Sequence, residues 1–283
     1  MLCRARHSLI DPKAIIHPTA DLGKNVTVGP WTTIGPEVSI GKDCVIGSHV
    51  VIKGPTVIGS KNRIYQFSSV GEDTPALAYQ GEPTLLRIGN NNVIREGVTI
   101  HRGMVQDEGV TEIGNDCLFM AYVHIAHDCT VGNNVIMANN ASISGHVKVG
   151  DYANFGGYSA VPQFRIIGAH THIAGLSLVL KDVPAFVTVA GNPSSAVGLN
   201  LEGMRRRGFS PDTISALKAS YRVVYQQDLL LGDAIHQLES LAKKFKEVSQ
   251  FVDSISSSKY GIVRPRKSSN NEDENEEKGS PKE

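Results

Sequence analysis

At 283 residues the chain is long enough for a large core in one or two domains. Its 28 basic and 28 acidic residues cancel, which argues against a general affinity for nucleic acid or anionic membrane. The four cysteines (Cys3, Cys44, Cys117, Cys129) are scattered without a C-x-x-C spacing. That argues against a disulfide framework or a structural zinc site, and it points to a reducing cytoplasm.

The first residues, MLCRARHSLI, contain no apolar signal-peptide core. No later run approaches the roughly 18 apolar residues of a membrane span. From Ile10 onward an aliphatic residue recurs at every sixth position: Ile16, Leu22, Val28, Ile34, Ile40 and on to Val70. The phase returns at Ile88 to Ile100 and again from Ile113 to Val179, with Phe119, Met137 and Phe155 taking the aliphatic place. Neither a helical 3.6 period nor the 2.0 period of a plain strand fits this pattern. One short strand and one turn per repeat do, with three repeats closing a triangular coil of about 18 residues and coils stacking about 4.8 Å apart. The spacing predicts an all-β domain, a left-handed parallel β-helix of hexapeptide repeats, over residues 1–192. Gly, Asn and Asp after the aliphatic position are expected to tolerate the turns between faces.

Residues 71–87 and 101–112 lack the register and read as loops thrown out from the coils, where binding residues concentrate. A C-terminal α-helical domain is expected over 193–262. Ser210-Pro211-Asp212 is a helix start, with Phe209 and Ile214 spaced as a hydrophobic staple. Ile235 to Ile255 keep one apolar face over a second helix, roughly 233–257. The polar, charged segment 263–283 is expected to be disordered.

The densest polar group is HIAHDCTVG, holding His124, His127 and Asp128. Three repeats, one full coil, separate His127 from Gly145, so the Gly145 N–H is expected in the layer above the imidazole, with His146 beside it. A neutral imidazole takes a proton from a hydroxyl near pH 7, and Asp128 can fix its tautomer. An N–H one layer away can stabilise an oxyanion. Base, orienter and oxyanion donor describe acyl transfer without a covalent enzyme intermediate, chemistry that needs no metal or cofactor. Two other readings remain open from these residues. His101, His124 and His127 could hold zinc, as histidines do in trimeric β-helices of the γ-class carbonic anhydrase type, or the coil could be a non-catalytic scaffold.

The segments IYQFSSVGE, YQGEPT, VTIHRG, HIAHDCTVGNN, ANNASISGHVKVGD and GNPSSAVGLNLEGMRRRGF resemble the UDP-N-acetylglucosamine O-acyltransferases that begin lipid A biosynthesis. The likeness spans nearly everything between residues 10 and 262, and IHRG and IAHD favour this branch over the related N-acyltransferases, which show IDRG and IAHN. The resemblance implies a cytoplasmic homotrimer with active sites between subunits. It implies a 3-hydroxyacyl chain carried by acyl carrier protein as donor and a UDP-sugar as acceptor. His127 would be general base, Asp128 its orienter and the Gly145 N–H the oxyanion donor. His101, His124, His146 and Gln163 would line the cleft, and Asn200, Glu202 and Arg206 would bind the nucleotide. The run Arg205-Arg206-Arg207 would face the acidic carrier, and Gly175 would leave room for a long acyl chain. Two departures stand out: Ala76 and Ala78 replace polar residues, including Asp and Lys, that touch sugar and phosphates. Pro162-Gln163-Phe164 replaces HQF. Both leave the 3-amino sugar analogue open as an alternative acceptor.

Overall fold

The computed structural model describes residues 10–105 and 108–266. Three parallel sheets form the walls of a prism, and each coil contributes one strand to each wall in turn. The first sheet runs from Ile15–Ile16 to Ala160–Val161, the second from Asp21–Leu22 to Ile166–Ile167, and the third starts at Thr27–Val28. This is the expected left-handed β-helix. In each two-residue strand the second residue points inward, and Ile34, Ile52, Ile100, Ile125 and Phe155 are all buried. Pairing is in register, His124 with Ser142 and Ile125 with Ile143, so each coil of three repeats advances the chain by one layer.

The turn chemistry differs from the sequence-based expectation. The left-handed residue of most corners is the third after the aliphatic one and is seldom glycine: Asn25, Trp31, Glu37, Asp43 and His49 all have φ between 55° and 63°. Glycine directly after the aliphatic residue serves close approach between layers. A Cβ on Gly41 would lie 2.7 Å from the carbonyl carbon of Gly59, a distance that real side chains do not tolerate.

The two insertions are shorter than expected. Thr99 still pairs with Ser69, and His124 with Thr99, so the chain leaves the coil at each insertion and rejoins it in register. The loops proper are 73–84 and, among the described residues, 102–105 with 108–109; Ser69–Glu72, Leu85–Ile88, Thr99–His101 and Val110–Ile113 are strands. Both loops leave the corner between the first and second sheets.

The third sheet is extended by Val187–Ala190 and Ser195–Leu199, an antiparallel pair that straddles the expected domain boundary. Four helices follow: α1 (Leu201–Arg206), α2 (Pro211–Gln226), α3 (Leu231–Ala242) and α4 (Lys246–Ser256). Ser210 caps α2 by accepting from the Thr213 N–H. The single helix expected over 233–257 is two, broken at Lys243–Phe245 with no glycine or proline to mark the break. Phe245 adopts extended geometry there (φ −126°, ψ 114°) and packs half-buried against the core, which lets α4 turn Val248, Phe251 and Ile255 inward. The chain also stays ordered beyond 262. Val263 is buried and donates to Asp182, and Ala196 donates to Arg264. Residues 267–283, the rest of the segment expected to be disordered, lie outside the described residues.

Candidate active site

The corner between the first and second sheets gathers both loops and most of the candidate residues. His127 is the first residue of its turn and Asp128 the left-handed second, at φ 56°. His127 Nδ1 meets Asp128 Oδ2 at 2.8 Å, and the side chains are 9 % and 1 % exposed. The carboxylate does not float: both of its oxygens accept from the Met104 N–H, at 2.9 and 3.0 Å, and the Asp128 N–H donates to Thr111 Oγ1 at 2.9 Å. With Asp128 occupying Nδ1, the imidazole edge carrying Nε2 remains for a substrate.

One coil on, Gly145 lies directly against that ring. A Cβ there would stand 2.5 Å from His127 Cε1 and 2.6 Å from Nε2. Among the described residues the Gly145 N–H donates to no acceptor. His146 meets His127 edge to face, ring centres 5.0 Å apart, and stacks on Phe164 at 4.5 Å. Gln163 sits one layer further, exposed at the same corner position as Gly145.

On the other side, toward the N-terminus, His124 Nδ1 hydrogen bonds to Thr99 Oγ1 at 2.7 Å, and His101 meets His124 edge to face at 5.2 Å. Burial, helped by the neighbouring His124, lowers the His101 pKa to about 4, and burial next to His127 lowers that of His124. Both rings are therefore neutral at neutral pH and can hydrogen bond without adding charge. Cys129 follows the dyad but points into the coil, donates to the Ser144 carbonyl and has its pKa raised to about 12 by burial. It offers no thiolate nucleophile.

Not all candidates converge within one chain. Gly175 lies at the corner between the third and first sheets. Asn200 caps α1 through the Gly203 N–H and donates to the His170 carbonyl near the corner between the second and third sheets, while Arg206 pairs with Glu202 at 2.8 Å on the surface. Of the arginine run, Arg207 is turned inward, over the Tyr152 ring at 4.9 Å and donating to the Tyr152 carbonyl. Only Arg205 and Arg206 face outward. Among the described residues the trio able to converge on a metal ion is His127, Asp128 and His146 rather than His101, His124 and His127. Sequence reasoning misses the Met104 N–H and the Thr111 hydroxyl: a backbone donor has no sequence signature, and Thr111 falls in a segment that reads as loop.

A coil of hexapeptide repeats with a buried His–Asp pair opposed by a bare glycine N–H defines the class of hexapeptide-repeat acyltransferases. The model of the bacterial transferase hexapeptide (six repeats) matches residues 19–54 and 111–145. That of UDP N-acetylglucosamine O-acyltransferase, domain 2, matches 182–263. The acyl-[acyl-carrier-protein]–UDP-N-acetylglucosamine O-acyltransferases of Stutzerimonas stutzeri and Pseudomonas aeruginosa are each 57 % identical over 91 % of this chain and all of theirs. The solved structure of LpxA from Acinetobacter baumannii superposes with TM-score 0.89 at 46 % identity, covering 91 % of this chain and 100 % of that one. The Arabidopsis UDP-N-acetylglucosamine acyltransferase gives 0.78 at 36 %, covering 90 % and 99 %. The chain belongs to the UDP-N-acetylglucosamine O-acyltransferase family.

Proposed function

We propose that this chain transfers a long 3-hydroxyacyl group from acyl carrier protein to the 3-hydroxyl of UDP-N-acetylglucosamine, the first step of lipid A biosynthesis. The observation that carries the reading is the His127–Asp128 pair held one coil below Gly145, in a chain whose full-length relatives bear that name. His127 Nε2 takes the proton of the sugar hydroxyl as its oxygen attacks the thioester carbon. The Gly145 N–H receives the oxyanion. Collapse breaks the carbon–sulfur bond, and the imidazolium returns its proton to the departing carrier thiolate. His101, His124, His146 and Gln163 line the acceptor and acyl path.

A trimer completes the site. The outward residues of the second sheet include Asp21, Arg87, Glu112 and Lys148, a face built for water. Those of the third include Val45, Val93, Leu118 and Ile136, and the first sheet presents mainly Thr, Ser, Val and Ala. Burying the first and third faces against neighbours brings a second subunit's Asn200, Glu202, Arg206 and Gly175 to the catalytic corner. No helix among the described residues is long and apolar enough to cross a membrane, and we place the enzyme in the cytoplasm, where its carrier works.

Loop 73–84 supports a second acceptor, because Ala76 and Ala78 leave it no charged side chain between Asp73 and Glu82. The 3-amino sugar, a stronger nucleophile, needs less help from such groups. Mass spectrometry of products from 3-hydroxyacyl carrier protein and equal amounts of both sugars decides: ester mass supports the first acceptor, amide mass the second. Either product must vanish in His127→Ala, and no acylated sugar from a folded enzyme defeats the proposal.

A further inference from the structure

Arg102, the third residue of the IHRG segment, has no part in the chemistry above, yet its guanidinium is almost fully buried, with the side chain 7 % exposed. Its Nη1 donates to the Gly71 carbonyl, and its Nη2 donates to Asp73 Oδ1 at 3.1 Å and to the Tyr79 hydroxyl at 3.3 Å. Tyr79 in turn donates to the Glu82 carbonyl at 3.0 Å. One side chain thus holds the root, the first turn and the far limb of loop 73–84. A buried arginine is costly unless its charge is paired; both terminal nitrogens are engaged here, while the buried Nε has no partner among the described residues, and the paired nitrogens hold the loop in one placement.

The placement bears on one substrate more than the other. Gly145, which faces the thioester oxygen, lies on the C-terminal side of His127. The hydroxyl nucleophile must approach from the N-terminal side, where His101, His124 and loop 73–84 lie. Charge sharpens the point. The only charged residues from 73 to 84 are Asp73 and Glu82, both acidic, and the acceptor carries an anionic diphosphate. Partial burial opposes ionisation of Asp73, but the charge and hydrogen bond of Arg102, together with the local hydrogen bonds of Glu72 and the backbone, outweigh it and leave the carboxyl below its ordinary pKa. Without Arg102 an unpaired carboxylate would stand beside the incoming diphosphate.

We infer that Arg102 is a positioning residue for the acceptor: it latches loop 73–84 over the N-terminal half of the site and neutralises Asp73 so that a nucleoside diphosphate sugar can enter. The inference rests on the acyl-transfer reading for which substrate lies where. The test measures initial rates with UDP-N-acetylglucosamine varied at saturating acyl carrier protein, and the reverse, for wild type, Arg102→Met, Arg102→Lys and Asp73→Asn.

Arg102→Met is expected to raise the acceptor KM roughly tenfold, the scale of lost charged hydrogen bonds, with the donor KM within about twofold of wild type. Lysine, a point charge that cannot fork to three partners, is expected to fall between. Chymotrypsin should cut Arg102→Met faster at the exposed Leu77 or at Tyr79, and acceptor should slow that cut. An equal rise in both KM values, or a fall in kcat alone in a folded protein, overturns the inference. If Arg102→Met does not fold, Asp73→Asn and Tyr79→Phe carry the test, since the first removes the paired charge and the second the hydroxyl that bonds Arg102 and Glu82. Calorimetric binding of UDP-N-acetylglucosamine reads the latch without turnover. An inactive wild type whose sugar affinity still drops in the variants defeats the functional reading and spares this one.

Discussion

The α-carbon of Gly145 sits against the face of the His127 imidazole so closely that the smallest side chain would overlap it, 2.5 Å from Cε1. Asp128 holds the ring's Nδ1 at 2.8 Å, so a retreat of the ring breaks that pairing. Gly145→Ala should therefore lower kcat about 100-fold or more, by displacing the base and blocking the N–H. Circular dichroism and oligomeric state should stay those of the parent, since the strands flanking the corner keep their register. Near-normal turnover in a well-folded Gly145→Ala protein would falsify the oxyanion assignment.

Asp128 is oriented by backbone as much as by its histidine. Replacing Thr111 by the isosteric valine leaves the buried Asp128 N–H without its acceptor, a change worth about 1–3 kcal/mol. Thr111→Val should reduce kcat about fivefold to tenfold and leave both KM values in place. In a His127→Ala background the same substitution should have no further effect on residual rate. An additive loss in the double variant would assign Thr111 to the scaffold alone.

His170 stacks between Tyr152 and Phe186 at 4.9 and 5.1 Å, and its Nδ1 is buried without a partner. Burial first, and the charge of Arg207 second, lower its pKa from 6.5 to about 4. The folded protein thus binds fewer protons here than the unfolded chain between those values. The stability this ring contributes is complete above pH 6.5 and is lost as pH falls toward 4. His170→Phe keeps the stack and removes the titration. Its Tm should fall less than that of wild type between about pH 7 and pH 5, by at least ~2 °C. Parallel Tm curves would show that other groups govern acid stability.

The outward apolar residues of the third sheet give the assembly a handle. Ile136→Arg puts a charge on a face proposed to be covered, and it should convert a trimer to monomer in light scattering while the coil stays folded. Activity should be lost with the trimer. Two variants that are inactive alone but still assemble, His127→Ala and Arg206→Ala, should regain part of the activity when mixed, because their lesions fall on opposite sides of one shared site. A fully active monomer would remove the shared-site reading.

The period of six residues makes the coil legible because each inward aliphatic side chain is an independent vote for the same register. The His127–Gly145 apposition follows from counting one coil. The corners mislead because glycine suggests a positive φ, whereas here its lack of a Cβ serves the contact between Gly41 and Gly59. The break between α3 and α4 carries no glycine or proline, so the apolar stripe reads as one helix. Met104 leaves no trace in the sequence, since what it supplies to Asp128 is an amide proton that every residue but proline owns. Asn200 and Arg206 are placed in the cleft by resemblance, and in a single chain they lie at another corner.

Insertion and deletion have opposite meanings in this architecture. Loop 73–84 and the loop after His101 swell one corner, and the strands beyond them still meet their partners, Thr99 on Ser69 and His124 on Thr99. Between Asp128 and Ser144 no such slack exists. Losing one residue there would carry Gly145 off its corner and turn an inward side chain to the outside, so the contact between Gly145 and the His127 ring depends on a fixed count of residues.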